Sequence, residues 1–205
     1  MRIKVCGLKY ADNVAEVAAI GAHYVGFICY DQSPRYMAHL PPHITAVSDG
    51  VVTTGVFVNE DANKVFEIIE RYGFEAIQLH GTETTAYCSL FKGKVTVIKA
   101  FGINEGFNFE QLEAYKDAVD FFLFDTKTPA HGGSGKTFDW KILDRYKMDV
   151  PFFLSGGLSP DNISEVAKIK HPAFYGVDLN SKFEVEPGLK DIKKLKQAFA
   201  LLLSE

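Results

Sequence analysis

Short apolar runs punctuate the chain at residues 3–6, 24–28, 53–58, 76–79, 95–100, 121–124, 152–154 and 174–177. They are rich in Val, Ile and Phe and too short for helices. Such runs fit strands of a parallel sheet buried on both faces. Between them lie helix-like stretches. Residues 12–20 put Val14, Val17 and Ala18 on one face, with Gly21 as a stop. Residues 61–72 put Val65, Ile68 and Ile69 on one face, and Gly73 follows. Ser159-Pro160-Asp161-Asn162 reads as a helix start, with Ser159 as N-cap and Pro160 first in the helix. Residues 191–203 close the chain as a helix with Ile192, Leu195, Phe199 and Leu202 inward. The charge run from Lys190 to Lys196 reads as that helix's wet face.

Eight strand–helix units predict the α/β class and a (β/α)₈ TIM barrel in one domain, residues 1–205. A length of 205 residues is at the short end for that fold. The competing fold is an open doubly wound sheet, which usually has fewer strands and a glycine-rich loop after the first. Here the glycine-rich segments come late, after the sixth, seventh and eighth strands. Barrels often bind phosphate beyond strands seven and eight, so the placement favours the barrel.

Composition narrows the function. Hydrophobic residues make up 47% and charged residues 23%, with a net charge of −4, so the chain is ordinary globular material. No basic stripe is present, which argues against a nucleic-acid partner. No apolar run approaches the length that spans a bilayer, so no membrane role is expected. No apolar signal segment precedes the first strand. Cys6, Cys29 and Cys88 are too few and scattered for a disulfide framework, and no C-x-x-C suggests zinc. A reducing cytoplasm is the expected compartment.

Barrel active sites lie at the C-terminal ends of the strands. That rule selects Cys6, Asn59, His80, Asp125, Asp178 and the late glycine loops. A thiol with an unperturbed pKa of about 8.5 can act as a base near neutrality once modestly activated. Cys6 could equally be a small buried hydrophobe. Asp125 follows an aromatic run, where an unpaired carboxylate is expensive to bury. It suits general acid work, or a cap on the next loop through Thr126. His80 is given a lining role. Arg35 is either a solvated arginine or a bidentate partner for a substrate carboxylate. Gly132-Gly133-Ser134-Gly135-Lys136-Thr137 falls short of a nucleotide loop, because position 130 is Ala. It reads as a flexible loop able to close over a substrate. Ser155-Gly156-Gly157-Leu158 leads toward a helix start, where glycines and free N–H groups favour a phosphate. The segment from Gly176 to Ser181 can supply further donors.

Collinear segments resemble the phosphoribosylanthranilate isomerase family. They are Lys4-Val5-Cys6-Gly7-Leu8, Gly26-Phe27-Ile28 through Ser33-Pro34-Arg35-Tyr36, Gly55-Val56-Phe57-Val58-Asn59, Gln78-Leu79-His80-Gly81, Phe124-Asp125-Thr126, Gly132-Gly133-Ser134-Gly135 with Phe138-Asp139-Trp140, Leu154-Ser155-Gly156-Gly157-Leu158 and Pro187-Gly188-Leu189-Lys190-Asp191. The resemblance implies an aldose–ketose isomerase of tryptophan biosynthesis. Its reaction is the Amadori rearrangement of N-(5′-phosphoribosyl)anthranilate to 1-(o-carboxyphenylamino)-1-deoxyribulose 5-phosphate. It implies Asp125 as acid and Cys6 as base, with Arg35 on the anthranilate carboxylate. It implies a phosphate against Gly156, Gly157, Asn180 and Ser181, with His80 and Asp178 also lining the substrate site. No cofactor or metal is implied, because the iminium is its own electron sink. The partner is then a small phosphorylated substrate, and the protein a monomer or homodimer. One departure is Asn180-Ser181-Lys182, where the family commonly has Ser-Ser-Gly. The related histidine-pathway isomerases, and bifunctional relatives, use an aspartate at the end of strand one, where this chain has Cys6. A non-catalytic phosphate-binding barrel would keep the late glycines without needing Cys6 and Asp125 together.

Overall fold

A computed structural model describes residues 1–37, 40–47, 49–126 and 139–203. Eight parallel strands close into a barrel in chain order. They are β1 (Arg2–Cys6), β2 (Tyr24–Ile28), β3 (Val52–Phe57), β4 (Ala76–Leu79), β5 (Thr96–Ile103), β6 (Phe121–Thr126), β7 (Phe152–Leu154) and β8 (Phe174–Leu179). The closing pair is β1 with β8, in the register Lys4 to Asp178. A short antiparallel hairpin, β9 (Glu184–Glu186) and β10 (Leu189–Lys190), follows the barrel. The barrel is the expected fold, and the open sheet is excluded by closure.

Strand alternation decides what faces inward. Val5, Val25, Phe57, Ile77, Phe122, Phe124 and Leu154 face outward into the main core. A second cluster of Tyr24, Ile98, Ala100, Leu123 and Phe153 fills the barrel floor. Above that floor the inward positions turn polar.

The helices are α1 (Ala11–Ala19), α2 (Ala62–Tyr72), α3 (Thr85–Ser89) and α4 (Ile192–Leu203). Asp61 caps α2 by accepting from the amides of Asn63 and Lys64, and Gly73 ends it at φ 64°. Leu195, Phe199 and Leu202 of α4 are buried, as their spacing predicts.

Three expectations are corrected. The strands β2, β5, β6 and β7 are followed by short 3-10 turns rather than full α-helices among the described residues. Ser159 caps nothing, and Pro160 is not a first helical residue. The turn begins at Ile163, because the Asn162 side chain ties the preceding loop together. Its Oδ1 accepts from Ser159 N at 2.9 Å and its Nδ2 donates to Gly157 O at 2.9 Å. Such local bonds compete with helix formation. Lastly, Lys190 is not on a wet helix face. It is 2% exposed, lies in β10, and pairs with Glu184.

Candidate active site

A cavity of about 270 Å³ opens at the C-terminal ends of the strands. Cys6, Arg35, His80, Asp125, Gly156, Gly157, Asp178, Asn180 and Ser181 all line it, so every expected site residue converges there. Asn59 is the exception among the strand-end candidates. Its Oδ1 accepts from Thr82 N at 2.7 Å, pinning the next loop from a left-handed backbone at φ 50°.

Cys6 ends β1 and is 2% exposed. Its neighbour across the sheet is Gly26, and a Cβ there would lie 2.7 Å from Sγ. Glycine at that position is what gives the thiol room. Burial pushes the Cys6 thiol up, and the Lys4 ammonium pulls it back without cancelling the rise. Lys4 was missed by the sequence reading. It lies two residues before Cys6, so strand alternation points both into the barrel. Its Nζ donates to Asp178 Oδ1 at 2.9 Å, with both side chains at most 5% exposed. Burial pulls the Lys4 ammonium down, but Asp178 and Cys6 outweigh it and hold it above the usual lysine range. It therefore stays positive under the thiol.

Asp125 stands on β6, three strand steps around the barrel from β1. Its Oδ1 accepts from Thr126 N at 2.7 Å, the local cap expected from sequence. Its Oδ2 lies 3.4 Å from His80 Nε2. The other imidazole nitrogen, Nδ1, is 2.8 Å from Gln78 Nε2. Gly156 packs against this carboxylate. A Cβ there would lie 2.5 Å from Asp125 Oδ1 and 2.3 Å from Thr126 N, and φ is 82°. No other residue type fits that approach. The glycine loop at 132–137, expected to fold over the substrate, lies outside the described residues.

The side of the cavity expected to take anions has two parts. Gly156 and Gly157 both have positive φ and bring backbone to the cavity wall. No helix start stands directly behind them, since the next turn begins at Ile163. Opposite, Arg35 is placed by the β2 loop. Tyr36 bridges to Ile28, and Arg35 N donates to Ser33 Oγ at 3.1 Å. Its guanidinium is held side-on by Glu184, with Nε at 2.9 Å and Nη2 at 2.7 Å. Lys190 Nζ bonds the same carboxylate at 2.6 Å and Asn180 Oδ1 at 2.7 Å. The strand-end rule selects neither Glu184 nor Lys190, because neither lies at the end of a barrel strand; Lys190 entered only within the 187–191 segment and the lysine run it opens. Among the described residues no cluster of His, Cys, Asp or Glu could hold a metal. No described helix is long and apolar enough to cross a membrane.

A closed barrel whose mouth gathers a thiol, a carboxyl, an arginine and a glycine-lined wall is an acid–base enzyme of the (β/α)₈ class. Residues 3–200 match the family model described as N-(5'-phosphoribosyl)anthranilate (PRA) isomerase. The N-(5'-phosphoribosyl)anthranilate isomerase of Parabacteroides distasonis is 44% identical over 99% of this chain and 94% of its own. The crystal structure of phosphoribosyl anthranilate isomerase from Thermotoga maritima superposes with a TM-score of 0.86 at 33% identity, over the full length of both chains. A further isomerase structure, in complex with reduced 1-(o-carboxyphenylamino)-1-deoxyribulose 5-phosphate, gives 0.83 at 28% identity, also over both full chains. This chain belongs to the N-(5'-phosphoribosyl)anthranilate isomerase family.

Proposed function

We propose that the protein catalyses the Amadori rearrangement of N-(5′-phosphoribosyl)anthranilate in tryptophan biosynthesis, with Asp125 as general acid and Cys6 as general base. The observation that carries this reading is the single cavity lined by Cys6, Asp125, Arg35 and the Gly156-Gly157 loop. Family membership supplies the substrate.

The Asp125 carboxyl gives its proton to the furanose ring oxygen, and the C1′–O bond breaks to leave an iminium. The Cys6 thiolate takes the proton from C2′. The C2′–H electron pair moves into the chain, neutralises the iminium and forms an enolamine, which tautomerises to the ketone. Lys4 stabilises the thiolate as it forms, at the cost of holding two charges with Asp178 out of water. His80 orients the acid through Asp125 Oδ2. Asp178 holds Lys4 and closes the floor of the site. Arg35 takes the anthranilate carboxylate. Backbone at Gly156 and Gly157, with Asn180 and Ser181, takes the phosphate. In place of the family's commoner serine, Asn180 lends its side chain to Lys190.

The groups given a role line or underlie the one barrel mouth, which supports one catalytic domain over residues 1–205, as monomer or homodimer. A free Cys6 suits a reducing cytoplasm. The deciding experiment follows the loss of phosphoribosylanthranilate fluorescence with purified protein. Turnover abolished by Cys6→Ser and by Asp125→Asn, with both variants folded, is the expected result. A wild-type protein that binds phosphate but leaves the fluorescence unchanged would favour a binding barrel instead.

A further inference from the structure

Arg35 has five N–H donors, and the structure accounts for part of them. Its Nε and Nη2 meet Glu184 side-on, at 2.9 Å and 2.7 Å. Nη1 has no partner among the described residues, yet the side chain lines the cavity. A guanidinium used on its Nε/Nη2 edge still offers its Nη1/Nη2 edge to a second carboxylate.

Glu184 itself cannot turn to follow a ligand. Its Oε1 also accepts from Gly188 N at 3.2 Å and from Lys190 Nζ at 2.6 Å. Its side chain is 4% exposed, and that of Lys190 is fully buried. The carboxylate is thus fixed by the β9–β10 hairpin on one side and by a buried ammonium on the other. Two basic side chains flank one carboxylate, and burial pulls the Lys190 ammonium below its ordinary range.

We infer that Glu184, anchored by Lys190, is a positioning residue that fixes Arg35 side-on so that its free edge discriminates for substrates carrying an aryl carboxylate. The inference rests on the reading of Arg35 as the carboxylate partner. Glu184 touches no substrate atom. It removes the rotamer freedom that an unrestrained arginine would lose on binding, so the ligand meets a preformed fork. A lysine at position 35 could pair with Glu184 but would offer no second planar edge.

The test uses two probes and the intact protein. One is reduced 1-(o-carboxyphenylamino)-1-deoxyribulose 5-phosphate. The other is the same molecule with phenyl in place of o-carboxyphenyl. Dissociation constants are measured by calorimetry for wild type, Arg35→Met, Arg35→Lys and Glu184→Gln. Wild type is expected to prefer the carboxylated probe. Glu184→Gln should weaken that probe about tenfold and leave the phenyl probe unchanged, which shows that the site is still folded. Arg35→Lys should lose the preference as Arg35→Met does.

Full preference in Arg35→Met would overturn the carboxylate role of Arg35 itself. A preference lost in Arg35→Met but intact in Glu184→Gln would leave that role standing and overturn the role of Glu184. Should Glu184→Gln fail to fold, Arg35→Lys decides. Undiminished preference there would show that a point charge is enough, and the positioning role would fall.

Discussion

At the end of β1, Cys6 is 2% exposed and stands over the buried Lys4–Asp178 pair. At the end of β6, the Asp125 side chain is 15% exposed and faces a His80 that is 25% exposed. On the proposed roles, the base is built into the barrel core, whereas the acid stands at its lip. A change near the base disturbs folding and chemistry together. Replacing a side-chain partner of the acid should touch chemistry far more than folding. The difference follows from the tasks: a thiolate needs a nearby cation kept dry, and a recycling acid needs access to solvent protons.

The largest expected effect treats both groups alike. Cys6→Ser and Asp125→Asn should each lower kcat by about 10³-fold, with the folded state retained by circular dichroism. Full turnover in either variant would break the pairing of roles. Next, Lys4→Met should cost about 3 kcal/mol in urea unfolding, because it strands Asp178 in the core. It should also push the Cys6 thiol up further and slow its alkylation by iodoacetamide at pH 7.5. Burial raises Cys29 to about 12 and Cys88 to about 11, and a Cys6→Ser control supplies their background. An unchanged Cys6 rate would remove Lys4 from the base. Gly156→Ala should lower kcat by displacing Asp125, and should cost about 1–3 kcal/mol from the positive φ. On the acid side, His80→Gln should change stability by less than about 1 kcal/mol, as for an accessible pair. A larger loss would erase the contrast between core and lip.

The smallest effect is in acid. Burial alone would raise the Glu184 carboxyl, but Arg35 and Lys190 outweigh it and hold the group below its ordinary value of 4.5. Its contribution to stability is therefore present above pH 4.5 and fades as pH falls through the depressed value. Urea midpoints of wild type and Glu184→Gln should converge on acidification. Parallel curves down to pH 3 would show that the ion pairs contribute nothing.

Much of this contrast was legible in the sequence. The strand runs placed Cys6 and Asp125 at strand ends, and the late glycines marked the wall opposite Arg35. Alternation along β1 could also have exposed Lys4, since it shares parity with Cys6. The pairing of Glu184 with Lys190 was not legible. Their meaning depends on a hairpin after the barrel, and Lys190 adjoins a lysine-rich helix that masks it. Asn59 met the strand-end rule but serves the next loop, as a strand-end polar residue readily can. The helix types were also hidden, because the Asn162 side chain outcompetes the expected cap at Ser159.

The seam between β1 and β8 also governs when the protein can work. Lys4 and Asp178 are 174 residues apart, so the buried pair beneath Cys6 is complete only once β8 is in place. A growing chain has made Cys6 almost at once, yet must wait for the last strand to complete the pair beneath it. Closing so long a loop is entropically costly and weights folding toward slow, non-local steps. A ribosome-bound chain ending before β8 is expected to be catalytically silent, and a circular permutant joining the termini would bring Lys4 and Asp178 far closer together in sequence.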